Sequence, residues 1–152
     1  MFKDTPHDGD GMTPTKPSAA LTDSDAVLTA NLDFYRAFSL RNFAAMDALW
    51  AREAQVLCLH PGWERVHGRA AVMESWRAIL TDDGEPFPIQ CHDERVFLYG
   101  DVAIVLCEEQ LPGGTLAATN IFVREEDRWR MIHHQASAII PQYHSGASTQ
   151  IH

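Results

Sequence analysis

The stretch from Leu116 to Ile140, LAATNIFVREEDRWRMIHHQASAII, constrains the fold more than any other part of the chain. Its β-branched and aromatic residues alternate so as to predict two strands joined by a short acidic turn, Arg124-Glu125-Glu126-Asp127-Arg128. Alternation puts Thr119, Ile121 and Val123 on one face of the first strand and Asn120 and Phe122 on the other. In the second, unbroken alternation groups Trp129, Met131, His133 and Gln135, with Ile132, His134, Ala136 and Ala138 behind. Neither face is polar throughout, so both must be covered. Asn120, His133 and Gln135 are then polar groups in apolar surroundings, where each needs a partner. Such a strand pair reads as the wall of a ligand pocket.

Upstream, a helix is predicted to begin near Asp23, where Thr22 followed by Asp25 resembles a weak capping box, with Val27, Asn31, Phe34 and Phe38 on one stripe and Leu28, Leu32 and Tyr35 alongside. Asn42 caps a second short helix carrying Phe43, Met46, Leu49 and Trp50. A strand from Ala54 to His60 ends at the turn signal Pro61-Gly62, which leaves His60 and Trp63 where the chain bends. A third helix follows Gly68-Arg69 and carries Val72, Met73, Trp76, Ile79 and Leu80. After the loop Thr81 to Pro88 the chain is all strand, Ile89–Tyr99, Val102–Leu111 and the final pair, broken at Gly100-Asp101 and Pro112-Gly113-Gly114. Helices first and an antiparallel meander afterwards make an α+β fold, three helices on a strongly curved, mainly antiparallel sheet.

The strand Val102 to Cys107 is apolar on both faces, while three helices can cover only one. A second copy of the chain is the economical cover, so a homodimer through the outer sheet face is expected, with Val105 read as an outward residue. With 152 residues the chain is long enough for one domain with a sizeable core. Residues 1–21, rich in Gly, Pro, Asp and Thr, read as a flexible tail, 22–141 as the domain and 142–152 as a C-terminal tail. The net charge of −9 repels phosphate backbones and argues against nucleic acid, and no apolar run is long enough for a membrane span. Cys58, Cys91 and Cys107 form no CxxC pair. Together with the lack of a secretion signal they read as reduced, buried thiols in the cytoplasm.

The element order, the segments Leu57–Trp63, Gly68-Arg69 with Val72 and Ser75-Trp76, Ala118-Thr119-Asn120 with Phe122, and Trp129–Ser137 resemble the SnoaL-like branch of the nuclear transport factor 2-like superfamily. The resemblance covers roughly residues 23–140 and implies the cone-shaped fold shared with ketosteroid isomerase, open between helices and concave sheet. It says less about activity, since this fold hosts isomerases, hydratases, cyclases and modules without turnover. It implies a cavity for a small, largely apolar molecule, lined by Tyr35, Trp50, Trp63, Trp76, Asn120 and Gln135 as binding residues. Gln135 stands where members often carry a histidine. His133, Glu108 and His60 are the candidate catalytic groups, because a carboxylate or imidazole in an apolar cone is tuned for proton transfer near neutral pH. Of Glu108 and Glu109, alternation sends one inward and the other out. A metal would need His60, His133 and Glu108 to converge without a spaced ligand pair, so neither metal nor cofactor is expected. The expected chemistry is acid–base isomerisation, hydration or cyclisation, and the alternative is a binding or oligomerisation module.

Overall fold

The computed structural model describes residues 21–81 and 84–140. The expected N- and C-terminal tails therefore lie outside the described residues, apart from Leu21. Helix α1 spans Asp23–Ser39, and the Thr22 hydroxyl accepts from the Asp25 backbone N–H at 3.2 Å while donating to the Asp25 carboxylate at 2.8 Å. The cap read from the sequence is thus formed. Its buried stripe is Val27, Ala30, Asn31, Phe34, Tyr35, Ala37 and Phe38, narrower than the sequence suggests, because Leu28 and Leu32 stay exposed. Helix α2 is Phe43–Leu49, capped by Asn42 through the Ala45 N–H at 3.0 Å. Strands β1 (Leu57–Leu59) and β2 (Val66–His67) precede α3 (Arg69–Ile79). At two residues β2 is too short to leave a periodic signal, and the sequence does not predict it.

Strands β3 (Gln90–Tyr99), β4 (Val102–Leu111), β5 (Gly114–Glu125) and β6 (Arg128–Ala138) form the meander. The single sheet runs β2-β1-β6-β5-β4-β3, antiparallel except for β1 beside β6. The helices lie on one face, α1 against β3, β4 and β6, and α3 against β1 and β2. Between the layers the rings of Phe34, Phe38 and Trp76 meet edge to face at 5.1–6.1 Å, the geometry that aromatic quadrupoles favour.

Two bulges reset which residues face that core. In β3 the register jumps from His92 opposite Glu108 to Arg95 opposite Leu106, so Asp93 and Glu94 share one partner, Cys107, and Asp93 takes φ +54°. In β6 it jumps from Ile121 opposite His133 to Phe122 opposite Met131, leaving Ile132 as the extra residue. An inserted residue reverses the alternation beyond it. Trp129 and Met131 point inward before the bulge; His134 and Ala136 point inward after it.

The acidic turn is a two-residue hairpin with Glu126 and Asp127 both at positive φ, which suits the twist of a β-ribbon. Glu125 beside it accepts from the backbone N–H groups of Arg52, Glu53 and Ala54 at 2.8, 3.1 and 3.0 Å. It ties the α2–β1 connection to the end of the sheet. Glu125→Ala leaves three amides unpartnered and is expected to cost roughly 1.5–3 kcal/mol. In a thermal-melt comparison Glu126→Ala, at the exposed turn, should match the parent.

Candidate functional site

The inner face of β4 carries Ala103, Val105, Cys107 and Glu109; Ile104, Leu106 and Glu108 lie on the other side. This corrects two expectations. Val105 is fully buried toward the helices, and Glu108 is exposed on the outer face while its neighbour Glu109 is 2% exposed and inside. The β6 bulge corrects two more. His133 sits on the outer face opposite Ile121 and Leu57, and Gln135 is exposed opposite Thr119 and Leu59. His134, 1% exposed, takes the inward place opposite Asn120.

A cavity of about 220 Å³ opens between α3, the loop after β1 and the sheet. Glu109, His60 and His134 are its ionisable walls, Trp63 stands at its mouth, and Phe38, Ile79, Phe87 and Leu116 complete an apolar lining. A larger depression of about 820 Å³ adjoins it through Leu111 and Leu116, and among the described residues its ionisable wall is outward-facing Glu108. The chemistry lies in the smaller space. Of the expected lining residues, His60 and Trp63 are there, with ring centroids 4.9 Å apart. Trp50 and Trp76 are wholly buried core, although the Trp76 ring supports His60 at 4.8 Å and His134 at 5.8 Å from beneath. Tyr35 and Asn120 lie behind the cavity floor and hold it in place.

Their hydrogen bonds fix where protons can sit. The Asn120 Nδ2 amide donates to Asn31 Oδ1 at 2.8 Å and to the Tyr35 hydroxyl at 3.1 Å. With both hydrogens committed, the amide's Oδ1 is the acceptor facing His134 Nδ1 at 2.6 Å. His134 therefore carries its hydrogen on Nδ1 and leaves Nε2 bare. The Tyr35 hydroxyl, having accepted from Asn120, donates to Glu109 Oε1 at 2.8 Å. His134 Nε2 lies 3.7 Å from that same oxygen. Burial pushes the Glu109 carboxyl up to about 7 against the opposing pull of the Tyr35 bond, and pushes His134 down to about 3, with His60 and His133 adding to the effect. Near neutral pH the carboxyl is therefore half ionised and holds the titrating proton, while the imidazole beside it stays neutral with a bare Nε2.

His60 is set in the same way. Ser75 donates to the Val72 carbonyl at 2.6 Å, so at 2.8 Å it accepts from His60 Nε2–H and leaves Nδ1 bare. Burial pushes this imidazole down to about 4. Among the described residues, no group of three His, Cys, Asp or Glu side chains is arranged to hold a metal ion.

Residues 27–141 match the SnoaL-like domain family. The chain belongs to the SnoaL-like family, within the nuclear transport factor 2-like superfamily. The F-box protein SKIP8 of Arabidopsis thaliana is 31% identical over 143 residues, 91% of this chain and 61% of that protein, so the chain spans about three fifths of this curated relative. Among solved structures, a candidate dehydratase of the NTF2-like family from Streptomyces avermitilis superposes with a TM-score of 0.68 at 29% identity. The match covers 78% of this chain and 97% of that one. A candidate calcium/calmodulin-dependent protein kinase type II association domain from Thiobacillus denitrificans gives 0.66 at 34%, covering 74% and 94%. In this SnoaL-like cone the residues that sequence reasoning missed as site groups are Glu109 and His134, each adjacent to a residue it chose, and Asn31 and Ser75, which orient them.

Proposed function

We propose that this SnoaL-like cone binds a small, largely apolar molecule and moves a proton on it by acid–base chemistry of the isomerase, hydratase or cyclase type. The observation that carries the reading is the Glu109–His134 pair facing the cavity, a carboxyl raised to about 7 beside a neutral imidazole. Ionised Glu109 takes a proton from an activated carbon, and protonated Glu109 returns it to a different atom of the same substrate. His134, its ring held by Asn120, stays neutral and presents its bare Nε2 beside Glu109. His60, with bare Nδ1, and Trp63 at the mouth contact the substrate's far side. The name of the Streptomyces structure, a dehydratase candidate, supports proton abstraction beside a leaving group. At about 220 Å³ the cavity falls below the roughly 300–1,000 Å³ of drug-sized sites, which favours a compact substrate. The test is turnover of ketones, epoxides and hydroxycarbonyl compounds at several pH values. Activity with an ionisation near neutrality that disappears in Glu109→Gln supports the reading. Binding without turnover, seen as ligand-raised melting with no product, replaces it by a binding module.

The assembly proposed with it is a homodimer through the outer sheet face. Pairing across five strands sets Phe97, Ile104, Ile121, His133 and Leu57 in one row, and Phe97, Leu106 and Leu57 are 44–46% exposed. Monomers rarely leave a contiguous apolar face of this kind uncovered. The association-domain name of the Thiobacillus structure supports self-assembly. Leu106→Glu is expected to give a folded monomer in sedimentation at micromolar concentration, where the parent is a dimer. A parent that sediments as a monomer, or a variant that stays dimeric, counts against this interface.

A further inference from the structure

We propose that the cavity at Glu109 takes a neutral single-ring molecule that brings its own hydrogen-bond donor, a hydroxyl compound, and turns away carboxylates and other anions. This names the ligand class for the binding site proposed above and rests on that reading. The polar walls are acceptors. His134 has one ring hydrogen, and Asn120 Oδ1 takes it at 2.6 Å. His60 also has one, and Ser75 Oγ takes it at 2.8 Å because the serine's own hydrogen goes to the Val72 carbonyl. Cys58 Sγ, 3.8 Å from His60 Nδ1, is a weak donor and leaves that nitrogen open to a stronger one. Glu109 Oε1 receives the Tyr35 hydroxyl, and Oε2 has no hydrogen-bond partner among the described residues. Among the described residues of the lining there is no lysine or arginine. Apart from the titrating carboxyl, the side-chain hydrogen left is the Trp63 indole N–H, on a residue 47% exposed at the mouth. An anionic ligand would give up its water here and meet no cation, the costliest kind of burial. A hydroxyl finds an acceptor in every ionisable wall.

Size and charge narrow the class. An apolar cavity of about 150 Å³ takes one benzene ring. The space here is about 220 Å³, walled by Phe38, Ile79, Phe87 and Leu116, so one ring with a short substituent fits. The titratable groups around Glu109 are Tyr35 on α1, Cys107 on its own strand, Cys91 opposite on β3, Cys58 on β1, His60 beyond it and His134 on β6. None is a cation at neutral pH, since burial holds both imidazoles neutral and raises the carboxyl to about 7. A cationic ligand would be desolvated in the same lining and meet a carboxyl only half ionised, so a neutral donor is favoured over it. Of the compounds named above for the turnover assay, this selects the hydroxycarbonyls.

The experiment titrates the full chain with benzyl alcohol, benzoate and benzylamine, following the tryptophan indole signals in proton–nitrogen-15 spectra at about pH 8, where most of Glu109 is ionised. Trp63→Phe assigns the indole at the mouth. The expected result is a saturable shift of the Trp63 signal with benzyl alcohol. Benzoate and protonated benzylamine should bind at least about tenfold more weakly, the worth of one hydrogen bond to a charged group. Glu109→Gln puts an amide N–H in the wall and should bring benzoate to within a few-fold of the alcohol. If benzoate stays excluded in that variant, the chain's net charge of −9 rather than the cavity turns anions away, and the proposal falls. Benzoate or benzylamine binding the parent as tightly as the alcohol, or no shift of the Trp63 signal with any of the three, overturns it too. Turnover of an anionic compound would sink this inference and leave the proton transfer standing. Alcohol binding without turnover of any compound would do the reverse.

Discussion

Glu109→Gln should slow turnover by about 10²–10⁴-fold, the usual contribution of a single general acid or base, while making the protein more stable at alkaline pH. The substitution keeps an oxygen where Glu109 Oε1 accepts the Tyr35 hydroxyl at 2.8 Å and removes only the ionisation. The folded carboxyl titrates at about 7 against an ordinary 4.5, because burial disfavours its charge. A raised folded pKa means that the group's contribution is whole below the ordinary value and is lost as pH rises through 4.5 toward 7. At about 1.4 kcal/mol per unit, the loss at and above neutrality is on the order of 3 kcal/mol. An amide at this position carries no such loss, so the variant should gain on the parent as pH rises from 5 to 8. The histidines oppose this on the acid side. His134 and His60 are buried neutral, with values lowered to about 3 and 4, so their contribution is full above the ordinary 6.5 and is lost as pH falls through that value. That acid arm should survive in the variant. Melting curves at several pH values, run beside the kinetic assay, separate the two terms. A variant that keeps the parent's alkaline decline, or turns over within a few-fold of it, contradicts the role given to Glu109.

The fold was legible because its signals are local. Caps at Thr22 and Asn42 each occupy a few adjacent residues and formed as read, and the acidic turn read over Arg124 to Arg128 formed as a tighter one, with the strands running on to Glu125 and from Arg128. The site was legible only to within one residue, for a physical reason. Which of two neighbours on a strand faces the core depends on a phase counted along the strand, and one unpaired residue reverses it. Ile132 is that residue in β6, and it moves the inward place from His133 to His134 and from Gln135 to Ala136. Nothing in the run Trp129-Arg130-Met131-Ile132-His133-His134 marks Ile132 as the insertion, since Met131, Ile132 and both histidines fit either face. For β4 no bulge was needed to err. Glu108-Glu109 offers two identical side chains, and only the burial of Ala103, Val105 and Cys107 against the helices selects the second. Asn120 was found at once, because a lone amide between apolar neighbours stands out, yet its role as an orienting group depends on Asn31, eighty-nine positions away in the chain.

That role gives Asn120→Leu a large expected cost, roughly 2–6 kcal/mol, with a change in the proton map of the cavity floor. Leucine fills a similar volume, so packing alone predicts little loss. The hydrogen bonds predict much more. Asn120 is wholly buried; it accepts from His134 Nδ1 at 2.6 Å and donates to Asn31 Oδ1 at 2.8 Å. Each of those groups, left unpartnered inside the core, costs about 1–3 kcal/mol, and the sum is a large share of a typical 5–15 kcal/mol stability. The Tyr35 hydroxyl also loses a donor but keeps Glu109 as an acceptor. Freed of Asn120, His134 gains by moving its hydrogen to Nε2, which aims the N–H at the Glu109 carboxylate 3.7 Å away, an electrostatic contact longer than a hydrogen bond. Nitrogen-15 shifts of the His134 ring should report hydrogen on Nδ1 in the parent and on Nε2 in the variant. A donor supplied to Glu109 favours its ionised form, so the neutral-pH ionisation should also move to lower pH. Asn120→Asp is the complementary change. It keeps an acceptor at His134 Nδ1 and adds a negative charge beside the ring, so His134 should hold its Nδ1 hydrogen and bind a second proton more readily. If Asn120→Leu melts within about 0.5 kcal/mol of the parent, the range of an ordinary surface change, Asn120 is not the group that holds His134 and the proton assignment fails with it.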